Sequence, residues 1–292
     1  MVNSAKEVLG TYHAPAGHWV GDGFPVRTLF SYDRLGKLLS PFLLLDYAGP
    51  AQFAPTEKPR GVGEHPHRGF ETVTVVYSGE VSHRDSAGNG GTIGPGDVQW
   101  MTAGAGVMHE EFHSESFTRS GGLLKMAQLW VNMPARDKMN PPRYQAIVND
   151  SIPVAGLPDG AGRVRVIAGR FGETDGAART WTELNVWDVS IAHGDCTLDV
   201  PEGHNTVIAV LDGQLSLASG QTLGDGDLAI LGAAGSQVSL RSESSASFLL
   251  LSGVPIDEPI VGYGPFVMNT REQIVAAFDD LQAGRFGSLA RD

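Results

Sequence analysis

Between Glu71 and Val81 the chain reads ETVTVVYSGEV, with β-branched and aromatic residues at successive positions from Thr72 to Tyr77 and a Ser78-Gly79 break after them. That pattern predicts a strand closed by a tight turn. Glycine-rich breaks at 87–91, 94–96 and 104–106 then cut the following segment into short strands, and no helical period runs through it. The stretch from Trp187 to Leu240 repeats the same order of strand, glycine turn, strand, Gly-Asp and apolar strand. Superposing Gly213 on Gly79 puts Thr206 on Thr72, Val207 on Val73 and Val210 on Val76, and Gly224-Asp-Gly-Asp227 follows Gly94-Pro-Gly-Asp97 after a small deletion. Self-similarity of this kind predicts a tandem duplication and two similar all-β domains, each a sandwich or barrel. The joint is expected in Met133–Gln145, where Pro134, Pro141 and Pro142 cannot donate to a sheet ladder. The expected division is residues 1–134, a linker at 135–145, and 146–292. Helical spacing occurs near the end: Thr270 and Gln273 have capping-box spacing, Ile274, Phe278 and Leu281 share a face, and Gly284 can end the helix.

The composition narrows the functional classes. A chain of 292 residues with 41% hydrophobic and 18% charged residues has the make-up of a globular protein large enough for two cores. Its formal net charge of -12, with no basic block, opposes direct binding to nucleic acid or anionic lipid. No segment approaches the roughly 20 apolar residues of a membrane span, and the opening residues carry neither a secretory nor a transit signature. The single cysteine, Cys196, fits a reducing, cytoplasmic setting and excludes a cysteine-based metal or redox centre. Gly104-Ala-Gly106 lacks the Lys-Ser/Thr continuation of a phosphate loop, and neither a nucleophile elbow nor a dinucleotide fingerprint is present.

Chemistry concentrates in two short stretches, His65-Pro-His67 and His109-Glu-Glu111. Residues i and i+2 of a strand project to one face about 6.5–7 Å apart, so each pair can turn two donors toward one ion. Pro66 lacks an amide donor, which predicts an edge or strand entrance open to solvent. An antiparallel pairing of the two stretches would assemble three imidazoles and a carboxylate. The second copy provides an internal control, because the registers above map His65, His67 and Glu71 to Asp199, Pro201 and Asn205, and His109 and Glu111 to Val238 and Leu240. The scaffold is repeated and the donors are not, which favours a metal site over a structural role. His113 shares the parity of His109 and Glu111 and is expected to be an exposed strand-end residue.

The run HPHRGFETVTVVYSGEVSHRDSAGNGGTIGPGDVQWMTAGAGVMHEE resembles the N-terminal cupin signature of the pirin family. SPFLLLDYAGPAQF (residues 40–53) and EPIVGYGPFVMNTREQI (residues 258–274) resemble two further stretches of the same family. The resemblance implies two tandem cupin domains of the jelly-roll type with a C-terminal helix, and metal in the N-terminal one alone. Its ligands would be His65, His67, His109 and Glu111. Cupins more broadly draw their carboxylate from the first motif, which makes Glu71 a reserve ligand or a neighbour standing behind the ligands. The resemblance also implies quercetin 2,3-dioxygenase activity, with O2 and a flavonol as substrates and Glu111 as candidate general base. Phe53, Phe70, Trp100, Met101, Met108 and Phe112 lie near the ligands in sequence and are candidate lining, although most are expected to be ordinary core. Three imidazoles and a carboxylate suit Fe(II), the expected ion, and also Mn, Co, Ni or Cu, with two octahedral positions left open; tetrahedral Zn would be closed by the same four. Some members of the family are instead metal- or redox-sensing regulators that bind other proteins, which is the alternative reading. A third reading is a structural metal in an inert scaffold.

Overall fold

A computed structural model describes residues 4–14 and 16–289. The chain forms two compact units that interleave along the sequence. One comprises residues 16–28, 42–149 and 257–289; the other comprises residues 4–14, 29–41 and 150–256. Each unit contains a seven-stranded and a four-stranded antiparallel sheet, the jelly-roll arrangement expected.

The duplication is visible bond for bond. In the first unit Gly96 N donates to Val76 O at 2.8 Å, Asp97 N to Gly94 O at 2.9 Å and Gly94 N to the Asp97 carboxylate at 2.9 Å. In the second, Gly226 N donates to Val210 O at 2.9 Å, Asp227 N to Gly224 O at 2.9 Å and Gly224 N to Asp227 at 2.8 Å. The turn needs a positive φ at its third residue, found at Gly96 (+90°) and Gly226 (+80°), where an L side chain would be strained.

The division along the chain differs from the one expected. Val8–Tyr12 is an edge strand on Leu228–Leu231, so the first residues belong with the second copy. Arg143–Ile147 is an edge strand on Val98–Thr102, so the expected linker belongs with the first copy. Each sheet is completed by a strand from beyond the proline-rich joint, and such remote pairing leaves no trace in local periodicity. Lys138, in the middle of the expected linker, is buried and its Nζ donates to Gly69 O, Asn132 Oδ1 and Val267 O at 2.6, 2.6 and 3.0 Å. Lys138→Met would leave three buried acceptors without their donor, and loss of about 3 kcal/mol of stability is expected, read as a lower urea midpoint with an unchanged slope.

The C-terminal helix, Arg271–Gln282, carries the expected capping box, with Thr270 accepting from Gln273 N. It also packs away from the domain expected for it. Ile274, Ala277, Phe278 and Leu281 meet Phe266, Met268, Phe286 and Met108, and Asp280 pairs with Arg68 at 2.8 Å. Two short helices, Tyr32–Leu35 and Glu115–Ser120, are additions that no periodicity announces. No helix among the described residues is long and apolar enough to cross a membrane.

The interior of the first unit changes character along one pair of strands, Phe70–Ser78 and Gly122–Asn132. The cross-strand pair Val76 and Met126 is part of an apolar cluster; two residues on, the pair is Thr74 and Gln128; two further, Thr72 and Trp130. The matching pair to Thr74 and Gln128 in the second unit is Ile208 and Leu250, both buried in a continuous apolar core. One barrel is therefore filled, and the other keeps polar groups at its centre.

Candidate metal centre

Gly61–His67 and Val107–His113 pair antiparallel, with His109 opposite His65 and Val107 opposite His67. A bulge between His109 and Glu111 shifts the register and sets Glu111 opposite Val62. The rings of His65, His67 and His109 converge at centroid separations of 4.1 Å (65 to 109), 4.8 Å (67 to 109) and 4.9 Å (65 to 67). Their donor atoms lie within 4.8 Å of one another. His109 and His67 are buried while His65 is half-exposed, so the cluster opens toward solvent along its own strand.

Three packed imidazoles are stable together only if neutral. Burial, reinforced by neighbouring His65, pushes the His67 pKa down to about 3. Burial, with the other histidines around it, holds His109 well below its ordinary value. The hydrogen bonds then fix which nitrogen is bare. His65 Nδ1 lies 2.8 Å from Gly63 O and His67 Nδ1 lies 3.3 Å from Pro265 O. A carbonyl only accepts, so each Nδ1 carries the proton and each Nε2 keeps its lone pair. His109 Nε2 is buried with no hydrogen-bond partner. Neutral imidazoles with second nitrogens tied to backbone carbonyls, and a buried nitrogen with nothing to bind, fit a transition-metal site.

A consequence for pH follows from His67. Its folded value of about 3 lies below the roughly 6.5 of an unfolded histidine. The unfolded chain therefore binds the proton first, so stability is full above pH 6.5 and falls as pH drops toward 3. Metal-free protein should lose about 2 kcal/mol between pH 7.5 and 5 from this residue, and His67→Gln should flatten that decline in denaturant titrations.

Glu111 is buried beside the histidines and held by two amides, Gln128 Nε2 to Oε2 at 3.0 Å and Gln99 Nε2 to Oε1 at 3.4 Å. Gln99 is in turn oriented by Tyr144, whose hydroxyl donates to its Oε1 at 3.4 Å. Burial and the charges of Asp85 and Glu111 push that phenol up to about 12, so it stays a donor. Glu111 and His109 form a second group of converging donors with His83, and His109 is common to both groups. The four residues expected from sequence thus gather around His109, three as an imidazole cluster and Glu111 on its flank.

Glu71 lies elsewhere, contrary to its expected place behind or among the ligands. The chain leaves the Gly61–His67 strand at Arg68-Gly69, where Gly69 has φ +88°, and enters a new strand at Phe70. Strand parity is lost at that corner, and Glu71 emerges on the face opposite Thr72 and Thr74. It accepts from Thr102 at 2.6 Å with Arg143 at 3.9 Å, and burial pushes its pKa up to about 7. His113 is buried instead of exposed, donating to Gly23 O at 2.9 Å among Phe24, Phe53 and Phe117.

Of the expected lining, Phe70 touches His67 at a ring separation of 5.1 Å. Trp130, which no sequence argument singled out, stands 5.4 Å from His67 and 4.3 Å from Phe70. Phe53 packs on His113, Met108 on the C-terminal helix, and Trp100 lies on the Glu71 face of its sheet, opposite Val73.

The sheet registers also sharpen the internal control. Val238 is opposite Leu198, as His109 is opposite His65, so His65 corresponds to Leu198, one residue from the Asp199 reached by aligning the repeats. Glu111 pairs with His83 as Leu240 pairs with Leu217. Where the first barrel has His65, His83, His109 and Glu111, the second has Leu198, Leu217, Val238 and Leu240, all core residues. His83 and Asp85 have the same i, i+2 spacing of a histidine and a carboxylate as His109 and Glu111, although the sequence reading does not single them out. The signal that could have found it was its replacement by Leu217 under the same Gly79–Gly213 superposition.

Comparison with known proteins agrees with this architecture. A family described as Pirin matches residues 23–131, and the Pirin C-terminal cupin domain matches residues 186–287. A Pseudomonas aeruginosa protein whose name assigns it provisionally to the quercetin 2,3-dioxygenases is 56% identical over 282 residues, spanning 96% of this chain and 98% of its own. A pirin-like protein of Caulobacter vibrioides is 40% identical, covering 92% of this chain and 96% of its own. The crystal structure of a quercetin 2,3-dioxygenase from Acinetobacter baumannii superposes with a TM-score of 0.95 at 55% identity, covering 98% of this chain and 99% of that one. With both of its cupin units matched and relatives aligned along nearly its whole length, the chain belongs to the pirin family.

Proposed function

We propose that His65, His67, His109 and Glu111 bind one divalent transition metal, Fe(II) in this reading, and that the protein is a cytoplasmic flavonol 2,3-dioxygenase. The observation that carries the metal site is the convergence of three neutral imidazoles whose outer nitrogens are occupied and whose Nε2 atoms are bare. The choice of reaction draws support from the Acinetobacter and Pseudomonas relatives.

When bound, the ion would act as a Lewis acid toward the flavonol hydroxyl and as the partner of O2. The remaining work falls to side chains. Glu111 takes the hydroxyl proton on a carboxylate oxygen, the role of a positioned general base. Gln99 and Gln128 hold that carboxylate in one orientation, and Tyr144 aligns Gln99. Phe70 and Trp130 give His67 an aromatic wall against which a flat ring system can stack. The opening at His65 is the side from which a substrate enters.

The test is reconstitution. Metal-free protein is loaded separately with Fe(II), Mn(II), Co(II), Ni(II) and Cu(II), and quercetin loss is followed by absorbance. Turnover with at least one ion is expected. Failure with all five, coupled with metal-dependent capture of a protein partner, would favour the regulatory reading. If chelation lowers the melting temperature and changes nothing else, the metal is structural.

A further inference from the structure

We infer that His83, backed by Asp85, fixes the tautomer in which His109 presents its Nε2 lone pair, which makes His83 a positioning residue of the metal centre. The inference rests on the metal reading above and concerns a residue outside the proposed ligand set.

The strand Val81–Asp85 flanks Val107–His113 on the side away from Gly61–His67, with His83 opposite Glu111 and Asp85 opposite His109. His83 Nδ1 stands 3.4 Å from His109 Nδ1. Two facing imidazole nitrogens make a hydrogen bond only if one carries the proton and the other a lone pair. The far side of His83 decides which. Its Nε2 is buried without a hydrogen-bond partner and has the Asp85 carboxylate 3.5 Å away. A lone pair there would oppose an anion, whereas an N–H is attracted to it, so the His83 proton sits on Nε2. His83 Nδ1 is then the acceptor, His109 Nδ1 the donor, and His109 Nε2 is left bare.

The arrangement is rigid from both ends. Asp85 Oδ1 accepts from Ala87 N at 3.0 Å and Asn89 N at 2.9 Å, which pins the carboxylate in a turn. The His83 ring stacks on Tyr144 at 5.2 Å with an interplanar angle of 10°. His83 itself is buried. The barrel fold does not require a histidine there, since Leu217 occupies the matching place in the second unit. A ligating histidine whose other nitrogen is held by a fixed partner is a better donor, and loss of such a partner typically costs 10–100-fold in metal affinity.

Two measurements test this. In metal-free wild-type protein with 15N-labelled histidine, long-range 1H–15N correlation should report His109 as the Nδ1–H tautomer; an Nε2–H tautomer would overturn the inference. Co(II) affinity is then measured by chelator competition. His83→Leu should bind about 10–100-fold more weakly, while His83→Gln, whose amide oxygen can still accept from His109 Nδ1, should recover most of the loss. Unchanged affinity in His83→Leu would contradict the relay. So would loss as complete as that of His109→Ala, which would make His83 a ligand. If wild type takes up no Co(II), the metal reading fails, and the tautomer assignment is still decided by the spectrum of the metal-free protein.

Discussion

Glu111→Gln should lower flavonol turnover by about 10²–10⁴-fold, the range expected when a positioned general base is lost. The substitution is nearly isosteric, so the barrel is undisturbed and the effect belongs to the carboxylate. In the wild type both oxygens accept from glutamine amides, Gln128 at 3.0 Å and Gln99 at 3.4 Å. The variant keeps one oxygen to meet one of those donors and turns an amide N–H₂ toward the other, which it repels. Its oxygen can still face a metal, but it has no basicity with which to take the flavonol proton. Metal content measured beside turnover separates loss of chemistry from loss of the ion. A variant that holds a full complement of metal and turns over within a few-fold of wild type would remove Glu111 from the base role.

The double variant His65→Ala/His109→Ala should lose tight metal binding and turnover together. The two residues are directly opposite each other across the ladder, and their rings make the closest pair in the cluster at 4.1 Å. Removing both leaves His67 as the single member of the imidazole cluster. The apolar cluster around Val76, Val81 and Leu124 is elsewhere in the barrel, so the fold should persist. A far-ultraviolet spectrum like that of wild type, with metal content near zero, is the expected outcome. Stoichiometric metal in the folded double variant would mean that the ion binds elsewhere.

What the sequence revealed was whatever is written locally. The i, i+2 spacing of His65 and His67, and of His109 and Glu111, survives as shared faces of two strands that pair as expected. The Gly-Pro-Gly-Asp and Gly-Asp-Gly-Asp turns recur with the same hydrogen bonds, and the Thr270 capping box starts its helix. What was hidden depends on remote pairing or on a corner in the chain. Val8–Tyr12 and Arg143–Ile147 complete sheets across the expected joint, and the last helix packs with the first copy. Glu71 departs from its expected place because one strand ends before Gly69 and a new one begins at Phe70, a corner that the first motif does not announce. Gln128 and Trp130 reach the site from a strand whose sequence, LLKMAQLWVN, is mostly apolar; the mid-strand amide of Gln128, between Ala127 and Leu129, was the hint. His83 was visible in principle, through Leu217.

The same contrast separates the unit in which a metal is proposed from the one whose matching positions are apolar. Leu198, Val238 and Leu240 each gain about 1.5–3 kcal/mol from full burial, and that stabilisation is what His65, His109 and Glu111 forgo. A bound ion would offset the difference, so chelation should destabilise the first unit more than the second.

Oxygen uptake by the metal-loaded protein, with quercetin as the sole organic substrate, decides whether the proposed centre is a flavonol dioxygenase. One O2 should be consumed for each flavonol lost, with no uptake without flavonol and none after the His65→Ala/His109→Ala change. Oxygen uptake that is absent with every metal, or that persists undiminished in the double variant, would contradict that assignment.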